Sequence, residues 1–127
     1  MRLITLFAVL AFGFSLSACS TSSDSPVLIS AREGKAMLDA DDEIILVDVR
    51  TLEEYQEAHI PGAILLPLSD LAVDAASALP DKDAKIILYC RSGNRSAQAA
   101  TILDGLGYTK VYDMGGIIDW PYATTTE

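Results

Sequence analysis

Lys85-Ile86-Ile87-Leu88-Tyr89, then Cys90-Arg91-Ser92-Gly93-Asn94-Arg95, then Ser96 to Leu106 is the stretch that decides the fold. The first five residues form a short apolar run bounded by charge, as expected of a strand buried on both faces of a parallel sheet. From Ser96 the period changes. Ala99, Ile102, Leu103 and Leu106 fall on one face of a helix that Gly107 can end. Cys90 to Arg95 must therefore be the loop between a buried strand and a helix amino terminus. Six residues there can curl so that successive backbone N–H groups point inward as an anion-binding nest, reinforced by the helix dipole. Gly93 and Asn94 permit the positive dihedrals such a curl needs. Cys90 opens the nest beside two guanidinium groups, a setting that lowers a thiol pKa and favours the nucleophilic thiolate. The alternative, a structural thiol in the core, fits poorly with a cysteine followed at once by Arg-Ser-Gly-Asn-Arg.

Outward from this unit, the chain alternates apolar runs with helix-start signals, the pattern of an α/β domain. Toward the amino terminus, Val27 to Ile29 is a short strand candidate. Ser30-Ala31-Arg32-Glu33 is a capping box opening a helix that runs to about Leu38. Ile44 to Val49 is a second buried strand, interrupted by the carboxylate of Asp48, which needs a partner. Thr51 to Glu54 is another capping box, Ala63 to Leu66 a third strand, and Ser69 can cap a helix ending before Pro80. Toward the carboxyl terminus, Val111 and Tyr112 form a last short strand before Gly115-Gly116 and a turn carrying Trp120. Open parallel sheets bind ligands beyond the carboxyl ends of their strands, and Asp48, Arg50 and Cys90 all lie at that edge.

The 127 residues suffice for one domain, and half are hydrophobic, which excludes a disordered chain. Two cysteines cannot build a disulfide miniprotein. A net charge of -9 argues against binding to a nucleic-acid backbone, and an anionic substrate must find a local positive patch. No His, Cys, Asp or Glu set has metal-ligand spacing, and no Gly-rich phosphate motif precedes a Lys, so neither metal nor cofactor is expected.

Leu3 to Phe14, broken only by Thr5 and Gly13, is too short to cross a bilayer and reads as a signal-peptide core. Leu16-Ser17-Ala18-Cys19 after it resembles the lipobox of bacterial lipoproteins, in which the cysteine is lipidated. The competing reading is a plain secretory signal cut after Ala18, with Cys19 free or paired to Cys90. The lipoprotein reading divides the chain into a signal peptide (1–18), a lipidated Cys19 with a tether to residue 25, a domain over 26–123 and a tail of 124–127. Cleavage removes Arg2 as its only charged residue, so the mature chain is more acidic still and gains no electrostatic attraction to anionic lipid. Attachment then rests on acyl chains such as palmitate. By the same resemblance, Ser20 favours the outer membrane in a Gram-negative cell, with the domain on the periplasmic side.

Four ordered motifs carry a second resemblance, covering Val27 to Tyr122. They are Asp48-Val49-Arg50 with Glu54-Tyr55 behind it, His59-Ile60-Pro61-Gly62-Ala63, the Cys90 loop, and Gly115-Gly116 before Trp120. Together they resemble the rhodanese (sulfurtransferase) family, in particular its short periplasmic, phage-shock-type members, from which a lipid anchor is a departure. The resemblance implies a single domain with a five-stranded, mostly parallel sheet between helices. It implies that Cys90 takes a sulfane sulfur from a donor such as thiosulfate, becomes a persulfide, and passes the sulfur to cyanide or a thiol.

With that chemistry, the amides of Ser92, Gly93 and Asn94 are expected to cradle the anionic persulfide, and Arg91 to orient the donor. Arg95 is expected to brace the loop through Asp48, or else to contact substrate, and Arg50 to pair with Glu54 or Glu57. His59 is the only histidine, yet it precedes a Pro-Gly turn, and in the resembling family that motif is structural. Tyr89 and Trp120 read as core or rim aromatics. Two other functions compete. Cysteine phosphatases use a related loop but place Arg six positions after Cys, where this chain has Ser96. A rhodanese-like module acting as a sulfur carrier or docking partner for another protein would use the same residues as the enzyme.

Overall fold

A computed structural model describes residues 25–127 and, apart from them, residue 13. The leader, Cys19 and the tether through residue 24 lie outside the described residues. The elements are β1 (Val27–Leu28), α1 (Ala31–Ala40), β2 (Ile45–Asp48), α2 (Leu52–Glu57), β3 (Ile64–Leu65), α3 (Leu68–Ala78), β4 (Lys85–Cys90), α4 (Asn94–Gly105) and β5 (Lys110–Gly116), with a 3-10 turn at Ile117–Asp119. The five strands make one sheet in the order β1-β5-β4-β2-β3, and every neighbouring pair in it is parallel.

The period of two along β4 divides the core. Ile86, Leu88 and Cys90 face one layer with Leu71, Ala75 and Leu79 at α3 and Ala99 and Leu103 of α4. Ile87 and Tyr89 face the other, with Ile29, Ile60, Trp120 and, from α1, Met37 and Leu38. Leu71, Ile86 and Leu88 are fully enclosed, and burying each such side chain contributes about 1.5–3 kcal/mol before the cost of ordering it. With helices on both faces, β4 is buried from Ile86 to Cys90, and the exposed loop that follows its carboxyl end is where chemistry can reach water.

Local signals set most boundaries. Ser30 accepts the Glu33 N–H at 3.1 Å, and Thr51 and Glu54 complete a reciprocal capping box at the start of α2. Helix α3 departs from expectation, because it opens behind Pro67 without a side-chain cap and Ser69 lies inside its first turn. Pro67 has the φ a helix needs, and the Leu68 N–H is already taken by the Val49 carbonyl at 3.0 Å. Strand β5 also runs beyond Val111-Tyr112 to Gly116. Its register against β4 shifts between Leu88 and Cys90, and Gly115, at φ 79°, supplies the backbone turn that lets Gly116 pair with Cys90. Residues at the extreme carboxyl end return to the domain: Thr125 and His59 exchange backbone hydrogen bonds at 2.8 Å in both directions.

Candidate active site

Cys90 ends β4 with its side chain enclosed, and Gly93, in the left-handed region at φ 103°, turns the chain directly into α4. Gly93 alone needs a positive dihedral. Asn94 has an ordinary one and starts the helix, two residues ahead of the Ser96 start that periodicity suggests. The turn brings the Gly93 N–H to 3.0 Å from Cys90 Sγ. Ser96, fully buried one turn into the helix, donates its hydroxyl to the Gly93 carbonyl at 3.0 Å, with the Gly115 carbonyl at 3.4 Å. Burial is the largest single influence on the thiol and pushes its pKa up. The Ser96 N–H and hydroxyl, with the Gly93 and Ser92 N–H groups, outweigh it and hold Cys90 below the ordinary thiol value. The thiolate is thus favoured chiefly by the N–H groups of the nest, with Ser96 buried beside them, rather than by the guanidinium groups that the sequence also places nearby. Ser96 is the residue the sequence reading passed over.

The loop rests on a surface without side chains. A Cβ at Gly116 would overlap the Arg91 carbonyl and come within 2.7 Å of Ser92 Cα, so only glycine lets the Cys90 loop lie this close to β5. The Ile118 N–H then holds the Arg91 carbonyl at 3.2 Å.

Two ion pairs flank the loop, with partners other than those expected. Asp48 does not meet Arg95. It takes both Nε (3.0 Å) and Nη2 (2.7 Å) of Arg50, accepts the Arg50 backbone N–H at 2.9 Å, and leaves Nη2 to donate to the Ala58 carbonyl at 2.7 Å. Residues two apart on an extended chain share a side, so the nearest cation satisfies the buried carboxylate. Burial acts to lower the Arg50 pKa, but the Asp48 hydrogen bonds and charge raise it. Arg50 therefore does not pair with Glu54 or Glu57. Glu54 is bound instead by Arg95, Nη1 to Oε1 at 2.7 Å and Nη2 to Oε2 at 2.9 Å. That two-pronged contact, from the first turn of α4 to the first turn of α2, drives the Glu54 pKa down to about 2.

Arg91 and Ser92 are exposed at the tip of the loop. A cleft of about 350 Å³ beside it is lined by Arg50, Glu54, Glu57, Arg91, Ile117 and Ile118. His59 is not available for proton transfer. It is buried, stacked on Tyr55 at 3.7 Å, and each ring nitrogen lies 2.8 Å from a backbone oxygen, of Tyr55 and of Glu127. Tyr89 is buried too, accepting the Ile60 N–H at 3.1 Å under the Arg50 guanidinium. Trp120 packs in the same apolar layer.

Residues 30–121 match the rhodanese-like domain family. The chain belongs to that family. This rhodanese-like chain is 44% identical over 73 residues to the thiosulfate sulfurtransferase PspE of Escherichia coli (strain K12), a match covering 58% of this chain and 70% of that one. It is 36% identical over 102 residues to the putative sulfur carrier protein YrkF of Bacillus subtilis (strain 168), covering 80% of this chain and 54% of YrkF. Among solved structures it resembles a rhodanese with anions from E. coli, with a TM-score of 0.62 and 38% identity, over 66% of this chain and 99% of that one. The parallel sheet flanked by helices is the rhodanese fold, and sulfur handling is what the two named relatives have in common.

Proposed function

We propose that the protein is a thiosulfate sulfurtransferase that carries sulfane sulfur on Cys90. The observation that carries this reading is the thiol set among inward N–H groups, the Gly93 amide at 3.0 Å from Sγ, at the mouth of a parallel sheet. The Cys90 thiolate attacks the outer sulfur of thiosulfate. The bond from that sulfur to the sulfonate sulfur breaks, sulfite leaves with the electron pair, and Cys90 holds an anionic persulfide. Cyanide or a thiolate then attacks the outer sulfur, the Cys90 thiolate departs, and thiocyanate or a new persulfide is released. The amides of Ser92, Gly93 and Ser96 face the added charge, Arg91 draws the anionic donor to the loop, and Arg95 braces α4. Asp48 and Arg50 hold the strand end from behind.

The test is a trap without acceptor. Reduced protein treated with thiosulfate gains the mass of one sulfur atom on the Cys90 peptide, and cyanide removes it as thiocyanate. Loading continues below pH about 8.5, the ordinary thiol pKa. Cys90→Ser stays folded and takes up no sulfur. Turnover by that variant at the wild-type rate overturns the mechanism. The likeness to a putative sulfur carrier supports a second reading, in which the persulfide is handed to a protein partner. Handover to periplasmic extract that outpaces thiosulfate:cyanide turnover favours it.

We further propose that Cys19 is acylated and anchors the domain on the periplasmic side of a bacterial membrane, the outer one in a Gram-negative cell. The lipobox-like Leu16-Ser17-Ala18-Cys19 after a short apolar core supports this. Labelled palmitate incorporated by wild type and lost in Cys19→Ser supports the anchor, and an unmodified mature Cys19 refutes it.

A further inference from the structure

The cleft beside the Cys90 loop is lined by two cations and two anions, but they are not equally free. Arg50 is spent on Asp48 and the Ala58 carbonyl, and Glu54 is spent on Arg95. Arg91 and Glu57 remain. Both are exposed, and among the described residues neither side chain has a hydrogen-bonding or ion-pair partner. Ile117 and Ile118 line the same cleft. Ile118 stays 63% exposed although its N–H is fixed to the Arg91 carbonyl, so an apolar side chain is presented to solvent at the lip of the site.

From this we propose that the cleft selects, as sulfur acceptor, a small thiol of amino-acid type that bears both an ammonium and a carboxylate. Arg91 takes the carboxylate, Glu57 takes the ammonium, and the carbon carrying the thiol lies against Ile117 and Ile118. The inference rests on the sulfurtransferase reading and extends it to the identity of the acceptor. A purely anionic acceptor gains Arg91 but meets Glu57, and a purely cationic one gains Glu57 but meets Arg91. A zwitterion satisfies both free charges, which matters in a chain whose net charge of -9 repels anions from a distance. The acceptor loses its thiol proton to solvent, and its thiolate attacks the outer sulfur of the Cys90 persulfide. The bond between that sulfur and Cys90 Sγ breaks with its electron pair returning to Sγ, and the acceptor leaves as its own persulfide.

The experiment loads the full-length protein with thiosulfate and confirms one added sulfur on the Cys90 peptide before any acceptor is present. Three acceptors are then compared, namely L-cysteine, 3-mercaptopropionate with the carboxylate alone, and 2-aminoethanethiol with the amine alone. Each variant is compared with wild type for the same acceptor, so intrinsic thiol reactivity cancels. Glu57→Gln is expected to raise KM about threefold to fivefold for cysteine and 2-aminoethanethiol, the worth of one exposed charge contact, and to leave 3-mercaptopropionate unchanged or improved. Arg91→Gln is expected to show the complementary pattern, raising KM for cysteine and 3-mercaptopropionate while sparing 2-aminoethanethiol. Equal changes for all three acceptors, or no change for cysteine in Glu57→Gln, overturn the selectivity. Failure of wild type to load sulfur at all overturns the sulfurtransferase reading and the selectivity with it, and it is seen before any acceptor is added.

Discussion

Two arginine–carboxylate pairs stand at the same edge of the sheet and differ in how much water reaches them. In the Asp48–Arg50 pair the side chains are 0% and 6% exposed, and in the Glu54–Arg95 pair 27% and 31%. Both are close, multiply hydrogen-bonded contacts, so geometry does not separate them. Dielectric does. A buried charge that loses its partner has nowhere to find hydration, whereas a half-exposed one regains water when its contact opens. The first pair therefore behaves as part of the core that fixes where β2 ends. The second behaves as an adjustable brace between α2 and the helix that carries the Cys90 loop.

The sharpest way to break this comparison is Asp48→Asn. It strands the Arg50 guanidinium beneath the surface, with only the Ala58 carbonyl as a full partner, and should cost about 3 kcal/mol or more in denaturant unfolding. A loss below about 1 kcal/mol would mean that Arg50 swings out to water and that the two pairs are not different in kind. Gly116→Ala probes the same loop without touching a charge. The added methyl collides with the Arg91 carbonyl and with Ser92, so about 2 kcal/mol should be lost, and sulfur loading should fall more steeply than stability because the N–H cradle is displaced. Unchanged loading would show that the loop has slack.

The half-exposed brace should yield less. Glu54→Gln and Arg95→Ala are each expected to lose about 1 kcal/mol, and the double variant little more than either single one, since both remove a single contact. Additive losses would separate the two residues. The pH dependence has a definite sign. Glu54 titrates near 2 in the folded chain against an ordinary 4.5, so its contribution is complete above pH about 4.5 and is lost progressively as the pH falls toward 2. The stability gap between wild type and Glu54→Gln should therefore be constant from pH 5 to 7 and shrink by pH 3. A gap that widens on acidification would reverse the assignment.

These pairs also mark how far the sequence could be read. The strand–loop–helix at Cys90 was legible because periodicity changes from two to three or four across it, and because Gly93 and the cysteine announce a turn with chemistry. The capping box at Thr51, the Ser30 cap, four of the strand positions and the parallel pairing follow from local signals of the same kind. Pairing is only partly local. That Asp48 and Arg50, two apart on an extended stretch, share a side is encoded in their spacing, whereas whether Arg95 reaches Glu54 depends on how far α2 leans toward α4, which spacing does not encode. Ser96 was hidden for a related reason: a serine in a helix's first turn is ordinary until the loop folds back and places it beside sulfur. The length of β5 was masked by Asp113 and Gly115-Gly116, which read as turn residues although the strand continues through its register shift. The return of Thr125 to His59 has no local signature at all.

Arg91 should give the smallest change in stability, and that is what makes it informative. Its side chain is exposed and, among the described residues, has no partner, so Arg91→Ala should alter the unfolding free energy by no more than about 0.5 kcal/mol. Its backbone carbonyl, the part that the Ile118 N–H holds, is unchanged by the substitution. Yet among the described residues it is the one cation at the loop tip not already committed to a carboxylate, while Arg50 and Arg95 are each bound to one. Thiosulfate must approach an acidic protein past Glu57, so removing this charge should slow loading of Cys90 while leaving the fold intact. The deficit should shrink as salt is added, because wild type loses its attraction to screening and the variant has less to lose. The contrast with Arg95→Ala is then complete. One arginine holds the loop and moves stability and rate together, and the other serves the substrate and moves rate alone. Equal melting losses for the two variants would erase that distinction and return Arg91 to a structural role.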